Sequence, residues 1–191
     1  MLHEQVPRSL AYCEELEVID IGDNHLNNTF PYWLENLSKL WVLVMRSNNF
    51  GGPIGQFSHV DSPFPSLQAF DISFNAFTGT YHCNIFFIGS FEVSGYYYQD
   101  TIAIVDKGIY MEMRSILIAF TTIDLSNNKF SGEIPNALGS LESLILLNLS
   151  GNSLTGQIPS SLGNLRELES LDLSRNSLRT NPYPIDKFDI T

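Results

Sequence analysis

The sequence is poor in charge, in histidine and in cysteine, and each shortage excludes something. Charged side chains make up 16% of the 191 residues, below the roughly 25% of an average globular protein, which argues against a long acidic tail. The remaining composition, 43% hydrophobic and 12% aromatic, supplies the apolar surface for a packed core and argues against intrinsic disorder. Positive charge is the scarcest commodity: 10 Lys and Arg face 21 Asp and Glu, a formal net charge of −11. Such a surface repels phosphate backbones, so nucleic acid is not an expected partner. No run reaches the roughly 18 apolar residues of a membrane-spanning helix; the densest, from Ile116 to Phe120, is strand-length. The opening residues, Met1 to Arg8, carry no basic stretch followed by a long apolar one, so neither a span nor a secretory signal is expected in this chain.

Two cysteines, Cys13 and Cys83, stand 70 residues apart, which excludes a dense disulfide framework and a zinc knuckle. One long-range bridge or two separate thiols both remain open. The four histidines, at 3, 25, 59 and 82, show no ligand spacing. There is no Gly-x-Ser-x-Gly elbow, phosphate-binding loop or dinucleotide fingerprint. Neither enzymatic activity nor a metal or cofactor is expected.

What is present is an internal repeat. The frame Leu-x-x-Leu-x-Leu-x-x-Asn-x-Leu runs from Phe120 through Ile123, Leu125 and Asn128 to Phe130, and returns from Leu144 to Leu154 and from Leu168 to Leu178. Upstream it fits Leu16 to Leu26, Leu40 to Phe50 and Leu67 to Phe77. The frame asparagines fall at 24, 48, 75, 128, 152 and 176, with spacings of 24, 27, 53, 24 and 24 residues. Within each unit the two apolar residues of Leu-x-Leu share one side of a short strand, and the residues between them point the other way. One coil cannot bury its apolar side alone, so the coils must stack into a continuous core and a parallel sheet. The six asparagines are read as a ladder of side-chain amides bonded to neighbouring turns, not as ligand residues.

The expected fold is therefore an α/β-type leucine-rich-repeat solenoid, elongated and curved. Its parallel sheet has about six strands, set about 4.8 Å apart and so about 24 Å in stack. The 27-residue spacing holds a small loop excursion over 58–65, and the 53-residue spacing holds an insertion. In the insertion, two strand-like arms flank Asp106-Lys107-Gly108, a hairpin signal. The chain divides into repeats over 1–79, an insertion over 80–119, repeats over 120–180 and an irregular tail over 181–191. It starts and stops partway through a unit without a recognisable cap, and is expected to fold poorly alone.

Residues 120–178, with Gly-x-Ile-Pro and Leu-Gly-x-Leu after the frame, resemble the plant extracellular leucine-rich repeat. The insertion, with Tyr96-Tyr97-Tyr98 and the Lys-Gly hairpin, resembles the island domain of plant receptor-like proteins. That resemblance implies a non-catalytic cell-surface receptor, immune or developmental. It further implies a protein or peptide ligand and a co-receptor leucine-rich-repeat kinase, with contacts at the island and the repeats after it. Two other readings stay open: a soluble inhibitor or scaffold of the polygalacturonase-inhibitor type, disfavoured by the insertion, and the ectodomain of a receptor kinase.

Candidate contact residues are those that depart from the repeat on the solvent side of the sheet: Trp41, Val44 and Arg46 in the second unit and Phe74 in the third. An exposed aromatic beside an Arg has the composition of an interface anchor. In the insertion, Tyr96, Tyr97 and Tyr98 cannot all face inward from one strand, and Lys107 adds a cation at the hairpin tip. The row Asp20, Val44, Asp71, Asp124, Asn148 and Asp172 is expected to be a solvated strand face. Three Asn-x-Ser/Thr triplets, at Asn27, Asn36 and Asn148, are candidate glycosylation sites. A sugar at Asn148 would sit on the sheet face and block it.

Overall fold

The structure, a computed structural model, describes residues 2–54, 63–80, 97–98, 102–106, 109–113, 116–117 and 121–179. The repeats stack as expected, but around two six-stranded parallel sheets instead of one. Sheet one is built from the Leu-x-Leu segments: Val18–Asp20, Val42–Val44, Ala69–Asp71, Thr121–Asp124, Leu144–Asn148 and Ser170–Asp172. Five strands of sheet two follow frame asparagines, His25–Asn28, Asn49–Pro53, Ala76–Thr80, Lys129–Glu133 and Ser153–Thr155, and His3–Glu4 pairs on at the N-terminal edge. Its physical origin is the single apolar residue after each Asn. Leu26, Phe50, Phe77, Phe130 and Leu154 are buried, and the polar residues beside them leave each short segment extended. Gly132 shows why glycine recurs there: its φ is +84°, and a Cβ would meet Thr80 at 2.8 Å.

Among the described residues, four coils have a 3₁₀ turn as their third side, at Arg8–Tyr12, Tyr32–Leu34, Asn136–Ser140 and Ser160–Asn164. Each follows a proline (Pro7, Pro31, Pro135 and Pro159), whose fixed φ suits entry into a helical turn. Space for only one turn keeps the helical component 3₁₀, and no α-helix occurs among the described residues.

The insertion does not break the array. Ala69, Phe70 and Asp71 pair directly with Thr122, Ile123 and Asp124, and Ala76–Thr80 pairs with Lys129–Glu133. The third and fourth coils are neighbours, so the 53-residue spacing hides no coil. The hairpin is also present: Ile102–Asp106 runs antiparallel to Ile109–Met113, with Asp106 opposite Ile109. Tyr97 and Tyr98 pair with Leu117 and Ile116.

The core between the sheets is continuous through all six coils. Phe30 is its aromatic hub, edge-on to Phe64, Phe70 and Phe77 at 6.0, 6.0 and 6.2 Å. Phe50 stacks on Phe77 at 6.0 Å. The asparagine ladder forms as expected. Asn128 accepts the Phe77 N–H at 3.0 Å and donates to the carbonyls of Ile72 and Leu125 at 3.0 and 3.2 Å. Asn48, Asn75, Asn152 and Asn176 repeat that pattern in their own coils.

Candidate functional site

Two surfaces bear on recognition: the outward face of sheet one and the row of turn residues beside it. The outward face is not the solvated strand face that the Asp-Leu-Ser pattern suggested. Val42, Val44, Ala69 and Leu146 form a second apolar cluster, 0 to 5% exposed, with Val18 and Trp41 packed against it. Asp124 is 4% exposed, and Ser73, Ser126 and Ser150 are buried with it. The sequence did carry a signal for this. Val42-Leu43-Val44 is apolar on both sides, the pattern of a strand covered on both faces. The expected face survives in part: Asp20 is exposed, and Asp71 and Asp172 are half-buried.

Asp71 and Asp124 lie directly opposite each other on adjacent strands of that face. Burial raises both carboxyls above their ordinary range, Asp124 to about 7, with the neighbouring charge of Asp71 adding to its rise. Hydrogen bonds oppose the shift without cancelling it. Asp124 accepts the Ser126 N–H at 2.9 Å and the Asn148 amide at 3.1 Å. Asp71 accepts the Ser73 N–H at 2.9 Å and its hydroxyl at 2.6 Å. Two like charges in register, one of them buried and the other half-buried, cannot both ionise freely.

The candidate contact residues therefore separate. Trp41 is half-buried against the apolar cluster, apart from Trp33, which packs on the main core under Arg8 at 5.1 Å. Arg46, expected at the surface, is 8% exposed and binds the Asp23 carboxylate through Nε and Nη2 at 3.3 and 3.2 Å. Val44 is buried. Phe74 alone of this set is an exposed aromatic, at 48%. Tyr97 and Tyr98 are placed on their short strand, while Tyr96 and Lys107 lie outside the described residues. Cys13 is an exposed free thiol, and Cys83 also lies outside the described residues. Asn27 and Asn36 are exposed and Asn148 is buried.

Phe74 has a second distinction that periodicity did not show. It occupies the turn between the two sheets with φ of +51°, in the left-handed region. Its equivalents in the other coils are Asp23, Ser47, Asn127, Gly151 and Arg175, all with positive φ. Asn, Asp and Gly take that conformation readily, whereas a bulky side chain there is strained. With half of its surface in water, Phe74 recovers little of that strain through burial.

Among the described residues, no group of three or more His, Cys, Asp or Glu could hold a metal ion, and no helix is long and apolar enough to cross a membrane. What the surface offers is a polar turn row with one aromatic projection, a geometry suited to binding a protein surface.

Comparison with known proteins agrees with the repeat. Residues 119–178 and 15–37 match leucine-rich-repeat family models. Receptor-like protein 35 of Arabidopsis thaliana is 44% identical over 161 residues, covering 76% of this chain and 16% of its own length. Receptor-like protein 33 of the same plant is 46% identical over 151 residues, covering 71% and 17%. Among solved structures, the PEPR1–AtPEP1 complex superposes with a TM-score of 0.69 at 28% identity, over 93% of this chain and 20% of the other. The Arabidopsis receptor kinase HAESA, solved with the peptide hormone IDA and the co-receptor SERK1, does so with 0.68 at 27%, over 92% and 24%. The chain spans about a sixth of the length of the receptor-like proteins named here. Repeat frame, insertion and sequence identity converge: the chain belongs to the plant leucine-rich-repeat receptor-like proteins.

Proposed function

We propose that this chain is a non-catalytic recognition segment of a receptor on the extracellular face of the plasma membrane, with a peptide or protein ligand and a co-receptor leucine-rich-repeat kinase as partners. In this reading, repeats over 1–79 and 120–180 frame an island insertion over 80–119. The observation that carries it is Phe74, a half-exposed aromatic held in a left-handed turn where its equivalents are Asp23, Ser47, Asn127, Gly151 and Arg175. A strained, exposed aromatic in a polar row matches the anchor of an interface, a few of which carry most binding energy. HAESA, solved with a peptide and SERK1, supports both partner classes by likeness.

The test uses the full-length receptor and its Phe74→Asn variant. The variant is expected to be about 1 kcal/mol more stable, since strain of that kind costs about 1–3 kcal/mol, and to bind the SERK1 ectodomain at least tenfold more weakly in surface plasmon resonance. Unchanged binding would remove Phe74 from the interface. Alanine at Tyr96, Tyr97, Tyr98 and Lys107, measured alongside, asks whether the island shares the contact. The second reading, that a kinase follows in the parent protein, draws on the receptor kinase HAESA among the solved neighbours. The sequence downstream of the span in the parent gene decides it.

A further inference from the structure

The three Asn-x-Ser/Thr triplets are chemically equivalent in sequence, and the fold makes them unequal. Asn148 is 6% exposed in the fifth strand of sheet one, between the fully buried Leu147 and Leu149. Its amide is engaged on both sides. Nδ2 donates to Asp124 Oδ2 at 3.1 Å, and Oδ1 accepts the Ser150 N–H and hydroxyl at 3.1 and 2.8 Å. A saccharide on that nitrogen has no room on a closed face where Asn148 is 6% and Asp124 4% exposed.

Asn27 and Asn36 have the opposite surroundings. Asn27 is exposed on the outward side of His25–Asn28, while Leu26 beside it is buried and fixes the strand. The chain then leaves the strand at Asn28, whose φ is +137° and whose Oδ1 accepts the Thr29 N–H at 2.7 Å. Thr29, the third residue of the triplet, is exposed. Asn36 is exposed in the turn after the 3₁₀ segment Tyr32–Leu34, with Leu37 buried and Ser38 exposed. No exposed triplet follows Ser38 in the sequence.

We infer that Asn27 and Asn36 carry N-linked glycans and that Asn148 does not. The sugars then stand on sheet two and on the 3₁₀ side of the first two coils, and the coils over 121–179 stay bare for protein contact. This rests on the cell-surface reading above, because the donor, a lipid-linked oligosaccharide diphosphate, is met in the secretory pathway. In the transfer, the Asn Nδ2 bonds to the anomeric carbon as that carbon's bond to the diphosphate oxygen breaks. The lipid diphosphate leaves with the electron pair, the amide nitrogen loses one proton to base, and nothing is oxidised or reduced.

The test expresses the full-length receptor that carries this chain in plant cells and purifies it from the plasma membrane. The protein is treated with a glycan-releasing amidase in ¹⁸O-water, which converts each modified Asn to ¹⁸O-labelled Asp, and its peptides are read by mass spectrometry. Label is expected at 27 and 36 and not at 148, and Asn27→Gln with Asn36→Gln should reduce the amidase-sensitive mobility shift by two glycans. Should the receptor be retained in the cell, the same readout on the microsomal pool decides occupancy at 27 and 36. Label at 148 in the folded receptor, or its absence at either 27 or 36, overturns the assignment. Loss of SERK1 binding in Phe74→Asn is independent of both outcomes, so the receptor reading and the glycan assignment can fail separately.

Discussion

At the scale of single residues, the frame asparagines and the Asp71–Asp124 pair make opposite demands on the solvent. Asn128 satisfies the Phe77 N–H and the carbonyls of Ile72, Leu125 and Ser126 from a buried position. Replacing it with Ala orphans these groups, and a buried unsatisfied polar group costs about 1–3 kcal/mol. Asn128→Ala should therefore lose at least about 2 kcal/mol in urea unfolding. Asn24→Ala, at a half-buried position, should lose clearly less. Equal losses would mean that the ladder is not what the amide network supports.

The acidic pair predicts a pH dependence of unusual sign. The Asp124 carboxyl, at 3.8 when unfolded, is raised to about 7 in the fold. The folded state thus binds more protons than the unfolded one between those values. Its contribution to stability is complete below about pH 4 and is lost as pH rises through about 7. Asp71 is shifted in the same direction. Stability measured by denaturant should be higher at pH 5 than at pH 8, and Asp124→Asn should flatten the difference. A wild-type protein equally stable at both pH values would show that the pair is hydrated. The Asn ladder was legible in the sequence because a fixed place in the frame puts one amide in each coil. The Asp71–Asp124 pair was not, since Asp-Leu-Ser itself reads the same on an open strand and on a covered one, and the signal of a covered face lies on another strand, in Val42-Leu43-Val44.

At the scale of elements, the sequence disclosed sheet one and hid sheet two. Leu-x-Leu has two apolar residues in alternation, enough to mark a strand. The segments of sheet two each offer one, as in Asn49–Pro53, where only Phe50 is buried and Gly51 and Gly52 follow. Their pairing comes from stacking and not from local preference. The 3₁₀ corners show the tightest fit. A Cβ on Gly139 would lie 2.2 Å from the Ser161 carbonyl oxygen, a backbone atom of the next corner. Gly139→Ala must push Asn136–Ser140 and Ser160–Asn164 apart, and forced overpacking costs about 1–3 kcal/mol. The melting temperature should fall accordingly; no change would mean that the corners slide freely.

At the scale of the whole molecule, the array tolerates a long excursion because both sheets are sealed across it. Replacing residues 81–119 with a copy of 134–143, which joins sheet two to the next strand of sheet one in the following coil, restores a 24-residue unit. In the full-length ectodomain, that variant should keep the cooperative melt and the parallel-sheet circular dichroism of the wild type. Loss of both would mean that the insertion holds the third and fourth coils together. The one-coil-per-period reading anticipated the stack but not the direct contact of Asp71 with Asp124. Spacing in sequence says how far apart two frames are, not whether anything stands between them.

The seal between the third and fourth coils also sets a clock. Every other joint in the ladder closes a loop of 24 or 27 residues, whereas bringing Asn128 onto Asn75's coil closes one of 53. Chain-closure entropy grows as the logarithm of loop length, so the longer loop costs only roughly 0.7 kcal/mol more than a 24-residue one. Equilibrium stability scarcely registers that difference. Growth of the stack does, because this joint should form roughly threefold more slowly than its neighbours if closure is complete at its transition state. The array would then assemble as two ordered runs that wait to meet at Asn128, and the shortened variant should fold without the wait.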